Sequence, residues 1–153
     1  SAARSLIFNQ VLSRRIERGD WNALIDGDVA MLDGSRSIFV ADAEDADQKA
    51  RCAAMDLHPT GPMVGVDTEF ARTTAGQIEQ AVIQQHQDLF DGLVRFGLKA
   101  ERRSLRMRPE HLEWTFLDTS TLRLHFSLPR GSYATSLLRE LIEYTDASKP
   151  NEA

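Results

Sequence analysis

The sequence predicts an α+β fold, because the spacing of its apolar residues changes along the chain. Apolar residues recur at helical spacing in residues 2–18 and again in 74–96. After Gly97 they alternate with polar residues, as in strands that have one buried face. A last helical pattern covers 133–144. A chain of 153 residues can form one substantial core, or one and a half smaller ones.

The first forty residues predict a helix followed by a β-hairpin. The helical stripe of residues 2–18 is followed by Gly19, a typical C-cap residue. Residues 29–32 form an apolar strand, and the Asp33-Gly34 pair is a strong hairpin turn signal. Residues 38–40 then form the returning strand.

The middle of the chain predicts two helical regions separated by a loop. Asp42 is expected to cap a helix that runs to about residue 55, with acidic residues in its first turn. Residues 58–62 contain two prolines and a glycine, which predicts a loop. The helical region 74–96 contains Gly92, where it could divide into two helices.

The last third of the chain predicts three strands before the final helix. Leu105 and Met107 alternate with arginines, and the segments 112–116 and 122–128 alternate apolar with polar residues. A turn at 118–120 joins the second and third strands into an antiparallel hairpin with one apolar face.

The net charge of −5 is unevenly distributed. Residues 1–19 have a net charge of +3, residues 20–95 of −9, residues 96–139 of +4, and the remainder of −3. If the two basic blocks meet in space, they form a patch that suits RNA, whose affinity for proteins depends on neutralising phosphates. The alternative is that these arginines are the solvated faces of a helix and a strand pair.

Most kinds of catalytic or metal site have no support in the sequence. The only cysteine, Cys52, cannot form an internal disulfide and is expected in the core, and the four histidines form no zinc-binding pair. Asp26, Asp28 and Asp33 could hold a cation, but turns also favour aspartate. Phosphate-binding loops and serine nucleophile motifs do not occur, and no apolar run approaches the roughly 20 residues of a membrane span. We therefore expect no metal site and no membrane partner. Since the chain opens on Ser1 inside a helical pattern, we also expect a piece of a longer polypeptide.

One strand-to-helix junction combines features of a ligand site. Pro129 and Gly131 define a turn, and Ser132 is a candidate N-cap whose helix could face a phosphate. Arg130 adds a positive charge, and Tyr133 offers a planar ring for stacking a base. The alternative is an ordinary connection in which Tyr133 packs in the core.

Segments along nearly the whole chain resemble TruD-type tRNA pseudouridine synthases. The junction and the start of its helix, LPxGSYAT…RE over 128–140, are similar to the family's C-terminal motif. The opening SAxRSxxFNxxLxxR over 1–15 is similar to a helix of the family's inserted domain. Gly27-Asp28, residues 37–40 and residues 109–114 occur in the expected order.

The resemblance implies part of an enzyme that isomerises the uridine at position thirteen of tRNA, flipping the nucleotide into a pocket. The family's nucleophilic aspartate lies in an upstream GxKD-type motif, and neither that motif nor the NYFGxQRFG segment occurs here. No residue of this chain is therefore predicted to be catalytic, and the chain alone is predicted to be inactive. The implied partners are tRNA and the missing N-terminal half of a cytoplasmic enzyme without metal or cofactor. Residues 1–107 would belong to the inserted domain and 108–153 to the catalytic domain, where they complete its sheet.

Two sets of residues carry the functional prediction. Substrate binding is expected at Arg130, Gly131, Ser132 and Tyr133. RNA binding is expected at arginines of both basic blocks, namely Arg4, Arg14, Arg15, Arg18, Arg102, Arg103, Arg106 and Arg108. The alternative function is a non-catalytic RNA-binding or protein-interaction domain on the same scaffold.

Overall fold

The computed structural model describes residues 2–129 and 131–143 and confirms the α+β class. The chain forms two compact units, of which the first ends at Arg106 and the second begins at Met107. Among the described residues, no helix is both long and apolar enough to cross a membrane. The elements in chain order are α1 (Ala2–Arg18), β1 (Val29–Leu32), β2 (Ile38–Val40), α2 (Ala46–Ala53), β3 (Leu57–Met63), α3 (Thr73–Gln85), α4 (Gln87–Arg95), β4 (Glu101–Ser104), β5 (Glu110–Phe116), β6 (Leu122–Ser127) and α5 (Ala134–Leu141).

The first unit is a four-stranded antiparallel sheet with four helices. Its strand order is β2-β1-β3-β4, so the predicted β1–β2 hairpin lies at one edge. The first helix and its end at Gly19 are also confirmed, since Gly19 has a φ of +76° and its N–H bonds the Ile16 carbonyl. The largest core cluster joins α1, α3 and α4 and consists of Ile7, Val11, Val64, Val82, Ile83 and Leu93.

The prediction of a loop at 58–62 is wrong, because these residues lie in β3, the central and wholly buried strand. The strand uses its two neighbours over different stretches: 57–59 pair with β1, and 60–63 pair with β4. Proline lacks an N–H, but its carbonyl still accepts, and Pro59 accepts from the Leu105 N–H at 2.9 Å. Because the strand changes partner along its length, it accommodates prolines and a glycine, which are rare in the inner strands of a sheet.

Three element boundaries also differ from the prediction. Asp45, not Asp42, caps α2, and its carboxylate accepts from the N–H groups of Asp47 and Gln48. The region 74–96 does divide into two helices, but at His86 and not at Gly92. The strand expected around Leu105 and Met107 ends earlier, at Ser104. At α2, the hydrogen bonds of the Asp45 carboxylate place the helix cap three residues after the expected one.

The second unit consists of the predicted β5–β6 hairpin and α5. Phe116 pairs with Leu122 and Trp114 with Leu124, which places these side chains on one face of the two-stranded sheet. This apolar face is open: Trp114 is 66% exposed and Phe116 71%. The helix α5 begins one residue later than expected and ends at Leu141, whereas its predicted end, 144, lies outside the described residues.

Candidate functional site

The junction between β6 and α5 forms a turn that holds Tyr133 at the helix start. Gly131 has a φ of +90°, which favours glycine, and the Ser132 N–H donates to the Pro129 carbonyl at 3.1 Å. The N-cap is Tyr133 and not Ser132, and no side chain caps the helix. The prediction of a Ser132 cap is therefore wrong. Arg130 lies outside the described residues.

Tyr133 presents its ring to solvent. Its backbone is extended, with a φ of −120° and a ψ of 133°, and its carbonyl accepts the Ser136 N–H at 3.0 Å. The side chain is 69% exposed, although the apolar residue Leu137 one turn later is buried. The alternative of a core-packed tyrosine does not describe this chain, and the ring is available to stack on a ligand.

Arg15, one of the predicted RNA-binding residues, is instead the centre of a buried ion-pair network. Its side chain is 2% exposed, and its guanidinium binds both Asp28 oxygens at 2.8 and 3.1 Å and Asp20 Oδ1 at 2.7 Å. Burial raises the pKa of Asp28 above its ordinary value, and the bonds from Arg15 and from the Ile25 N–H oppose this shift. Arg15 and Asp28 thus stabilise the fold, and we remove Arg15 from the RNA-binding set.

Three more of the predicted arginines are used inside the first unit. Arg102 is buried in an ion pair with Glu79 and also bonds Thr60. Arg106 donates to His58 Nδ1 at 3.0 Å and to three carbonyls, those of residues 22, 52 and 57. Arg4 donates to the carbonyls of residues 63 and 99. Because Arg102, Arg106 and Nη2 of Arg4 donate to protein acceptors, and Arg4 Nε is buried, these arginines are removed from the RNA-binding set too.

The remaining predicted arginines are more accessible. Arg14 and Arg18 lie one turn apart on α1, with side chains 46% and 49% exposed. Arg103 is half-buried, with its guanidinium 5.2 Å from the ring centre of Phe8, a cation–π contact that joins the two basic blocks. Arg108 is exposed in the second unit.

Two of the three aspartates considered for a cation site have other roles. Asp28 binds Arg15, and Asp33 accepts a hydrogen bond from His58 Nε2 at 2.9 Å. Throughout the described part of the chain, no three His, Cys, Asp or Glu side chains are placed to hold a metal ion. Cys52 is buried and unpaired, as expected of a small core residue.

Sequence reasoning missed a groove between α1 and α3. Its volume is about 490 Å³, and Arg14, Arg18, Thr74 and Gln77 lie along it. The sequence contained one indication of the groove, because α3 has four glutamines but only one acidic residue, Glu79. The packing of α3 beside α1 could not be read from that composition.

Comparison with known proteins decides the family. The family model described as tRNA pseudouridine synthase D (TruD) matches residues 1–141. This chain belongs to the TruD family. The match includes α1, the whole four-stranded sheet and the junction that holds Tyr133, so both sets of predicted residues lie within it.

Named relatives agree with this family. The chain is 47% identical to the tRNA pseudouridine synthase D of Xanthomonas campestris pv. campestris over 97% of its length, and 47% identical to that of Hydrogenovibrio crunogenus over 94%. It spans about 41% of the length of these curated relatives. A crystal structure of a TruD protein from Methanosarcina mazei superposes with a TM-score of 0.69 at 28% identity, covering 90% of this chain and 36% of that one.

Proposed function

We propose that this chain is the substrate-binding part of a tRNA pseudouridine synthase that converts the uridine at position thirteen to pseudouridine. The observation that carries the proposal is the family match over residues 1–141, which ends within the helix after the Tyr133 junction. Residues 1–107 would form most of the inserted domain and 108–153 the end of the catalytic domain. The division of the structure after Arg106 supports this assignment.

In this proposal Tyr133 packs against the flipped uracil. Stacking of an aromatic ring on a base contributes about 1–3 kcal/mol. The turn at Gly131 fixes the backbone before the ring, so little conformational freedom is lost on binding. Tyr133 would bind and orient the base and exclude water. The reaction also requires a nucleophile that this chain does not supply, so an aspartate elsewhere in the enzyme would carry out the covalent step.

The exposed apolar face of the β5–β6 hairpin supports the proposal that another part of the working enzyme covers it. A two-stranded hairpin is at best marginally stable by itself. All seven residues of β5 are exposed, including Trp114 and Phe116 of the apolar face. We propose that this face packs against the part of the enzyme that corresponds to the remaining length of the relatives, completing the catalytic sheet.

A chimera tests the function. This chain replaces the matched segment in the Hydrogenovibrio crunogenus relative, and the chimera, the intact relative and the chain alone are incubated with unmodified tRNA transcripts. We expect pseudouridine at position thirteen from the first two and none from the chain alone. An inactive chimera beside an active relative would refute the substrate-binding role and favour a non-catalytic RNA-binding domain. Turnover by the chain alone would refute the prediction that this chain lacks the nucleophile.

Two Tyr133 variants of the chimera test the site. Tyr133→Phe keeps the stacking ring and is expected to retain most activity. Tyr133→Ala removes the ring and is expected to reduce turnover by about five- to 150-fold, the factor that corresponds to roughly 1–3 kcal/mol. Because the side chain is 69% exposed, the alanine variant should unfold at the same urea concentration as the unsubstituted chimera. Full turnover by the alanine variant would remove Tyr133 from the site.

A further inference from the structure

The groove between α1 and α3 combines exposed basic residues with a helix surface that lacks acids. Arg14 and Arg18 project from the last two turns of α1, and Thr74 and Gln77 from the first two turns of α3. Both helices belong to the first unit and pack against each other through Ile7, Val11, Val82 and Ile83 of its core. The groove therefore lies within one compact unit, between two helices that share a core.

The exposed side of α3 is unusual for its place in the chain. Residues 20–95 have a net charge of −9, yet the only acid of α3, Glu79, is buried in its ion pair with Arg102. The exposed side therefore presents neutral hydrogen-bonding groups, of which Gln77 and Gln80 are examples. Glutamine can donate to phosphate and ribose oxygens without repelling them.

The first turn of α3 adds positive potential. A helix N-terminus carries a partial positive charge, which proteins commonly offset with acidic residues in the first turn. This helix has none there, its cap residue is Arg72, and no side chain caps it. The groove therefore borders a helix end whose charge the side chains of that helix do not neutralise, whereas Arg14 contacts Gln85 at the opposite end of α3.

Each of the two groove arginines is paired with an acid. Glu17 lies along the groove, with its carboxylate 3.6 Å from Arg14 Nη1. Asp20 binds Arg18 Nε at 2.8 Å, and Arg14 also contacts Gln85 Oε1 at 3.4 Å. Both arginine side chains nevertheless remain about half exposed. Arg14 can exchange the exposed carboxylate of Glu17 for a phosphate at little cost, since exposed pairs contribute about 0–1 kcal/mol, and Arg18 binds Asp20 through its Nε.

We propose that the α1–α3 groove binds the phosphate backbone of the RNA substrate, with Arg14 and Arg18 on phosphates and Gln77 on a phosphate or ribose oxygen. This inference rests on the proposed function, since it adds a contact surface for the same tRNA. It is distinct from the Tyr133 junction, which belongs to the other unit. Since these contacts involve the phosphates and riboses but no base, their contribution to tRNA affinity should be independent of the RNA sequence and sensitive to salt.

Two single substitutions and a matched control test the groove through tRNA binding by the 153-residue chain. Gln77→Glu places a carboxylate in the groove, and Glu17→Gln removes the one already there. A unit charge 4 Å from another in water is worth about 1 kcal/mol, or about fivefold in affinity. We expect Gln77→Glu to weaken binding by about this factor and Glu17→Gln to strengthen it. The matched control is Gln80→Glu, which lies on the same exposed helix outside the groove and should change affinity little.

Circular dichroism checks that each variant is folded, and titrations at several salt concentrations give the number of phosphates contacted. Arg18→Gln should reduce the slope of log affinity against log salt by about one. Equal tRNA affinity of the wild-type chain and the Gln77→Glu variant would refute the proposal that the groove binds RNA. A wild-type chain that binds no tRNA would refute it too. The first result leaves the proposed function intact, because that function is tested by the activity of the chimera, whereas the second would also count against a substrate-binding role for the chain alone.

Discussion

The strongest stability prediction concerns Arg15. Replacing it with methionine keeps the aliphatic stem but removes the guanidinium. The native guanidinium makes two bonds to Asp28, one to Asp20 Oδ1 and two to the carbonyls of residues 20 and 23, at 2.7–3.1 Å. Removing one partner of a buried ion pair typically costs about 3–5 kcal/mol, because the other charge stays buried without compensation. We expect Arg15→Met to lower the free energy of unfolding by that amount.

The variant should also acquire a new pH dependence. Burial already raises the pKa of Asp28, and Arg15 opposes that shift. Without Arg15 the folded-state pKa rises further above the unfolded value, so the folded state binds the proton more tightly. The resulting stabilisation is greatest below the unfolded pKa, about 4, and is lost as pH rises through the folded pKa. The variant should therefore lose more stability than the wild type between about pH 4 and pH 7.

Urea unfolding at several pH values measures both effects. Arg14→Met is the matched control, because Arg14 is adjacent on the same helix with its side chain 46% exposed. It should change stability by less than about 0.5 kcal/mol. A loss below about 1 kcal/mol for Arg15→Met, or a pH dependence parallel to that of the wild type, would refute the network's structural role.

The described contacts support three further predictions. Helix N–H groups lower the pKa of Asp45, so its stabilisation is lost as pH falls below about 4, and Asp45→Asn should unfold less steeply in acid while remaining stable at neutral pH. Gly27→Ala should destabilise the chain by about 2 kcal/mol or more in urea unfolding, because φ is +82° and the new Cβ would lie 2.0 Å from the Arg72 carbonyl oxygen. In the active chimera, Trp114→Ser should abolish most turnover, whereas Thr115→Ser on the opposite hairpin face should not.

The elements that could be predicted from the sequence are those whose signals are local. The first helix carries its own apolar stripe and ends at a glycine, and the hairpin after it contains an Asp-Gly turn. The central strand β3 could not be predicted, because its apparent loop residues are compatible with a strand only when two different neighbours share it. Gly61 shows the dependence on packing: a Cβ there would lie 3.1 Å from both Phe8 and Leu105. That requirement exists only once α1 covers the strand.

The two hairpins show why apolar alternation alone does not predict burial. In the first unit, β1 has β3 beside it, and Ala30 is completely buried. In the second, β5 alternates more regularly than β1 but is exposed throughout. A strand buries its apolar face only when another layer covers it. The regularity of β5 therefore indicates a face built to be covered, which agrees with the proposed docking of the remaining enzyme.

The arginines show how a count of charges overestimates an RNA-binding surface. Arginine has five N–H donors and also serves to satisfy buried carbonyls and carboxylates. Four of the eight predicted arginines bind carbonyls or carboxylates of the first unit in this way, namely Arg4, Arg15, Arg102 and Arg106. If all eight predicted arginines neutralised phosphates, log affinity would fall with log salt at a slope of about −7. With those four committed to the fold, the slope expected for tRNA binding is roughly −2 to −4. A measured slope near −7 would mean that the interior arginines leave their partners on binding, and would contradict the division between structural and RNA-facing arginines.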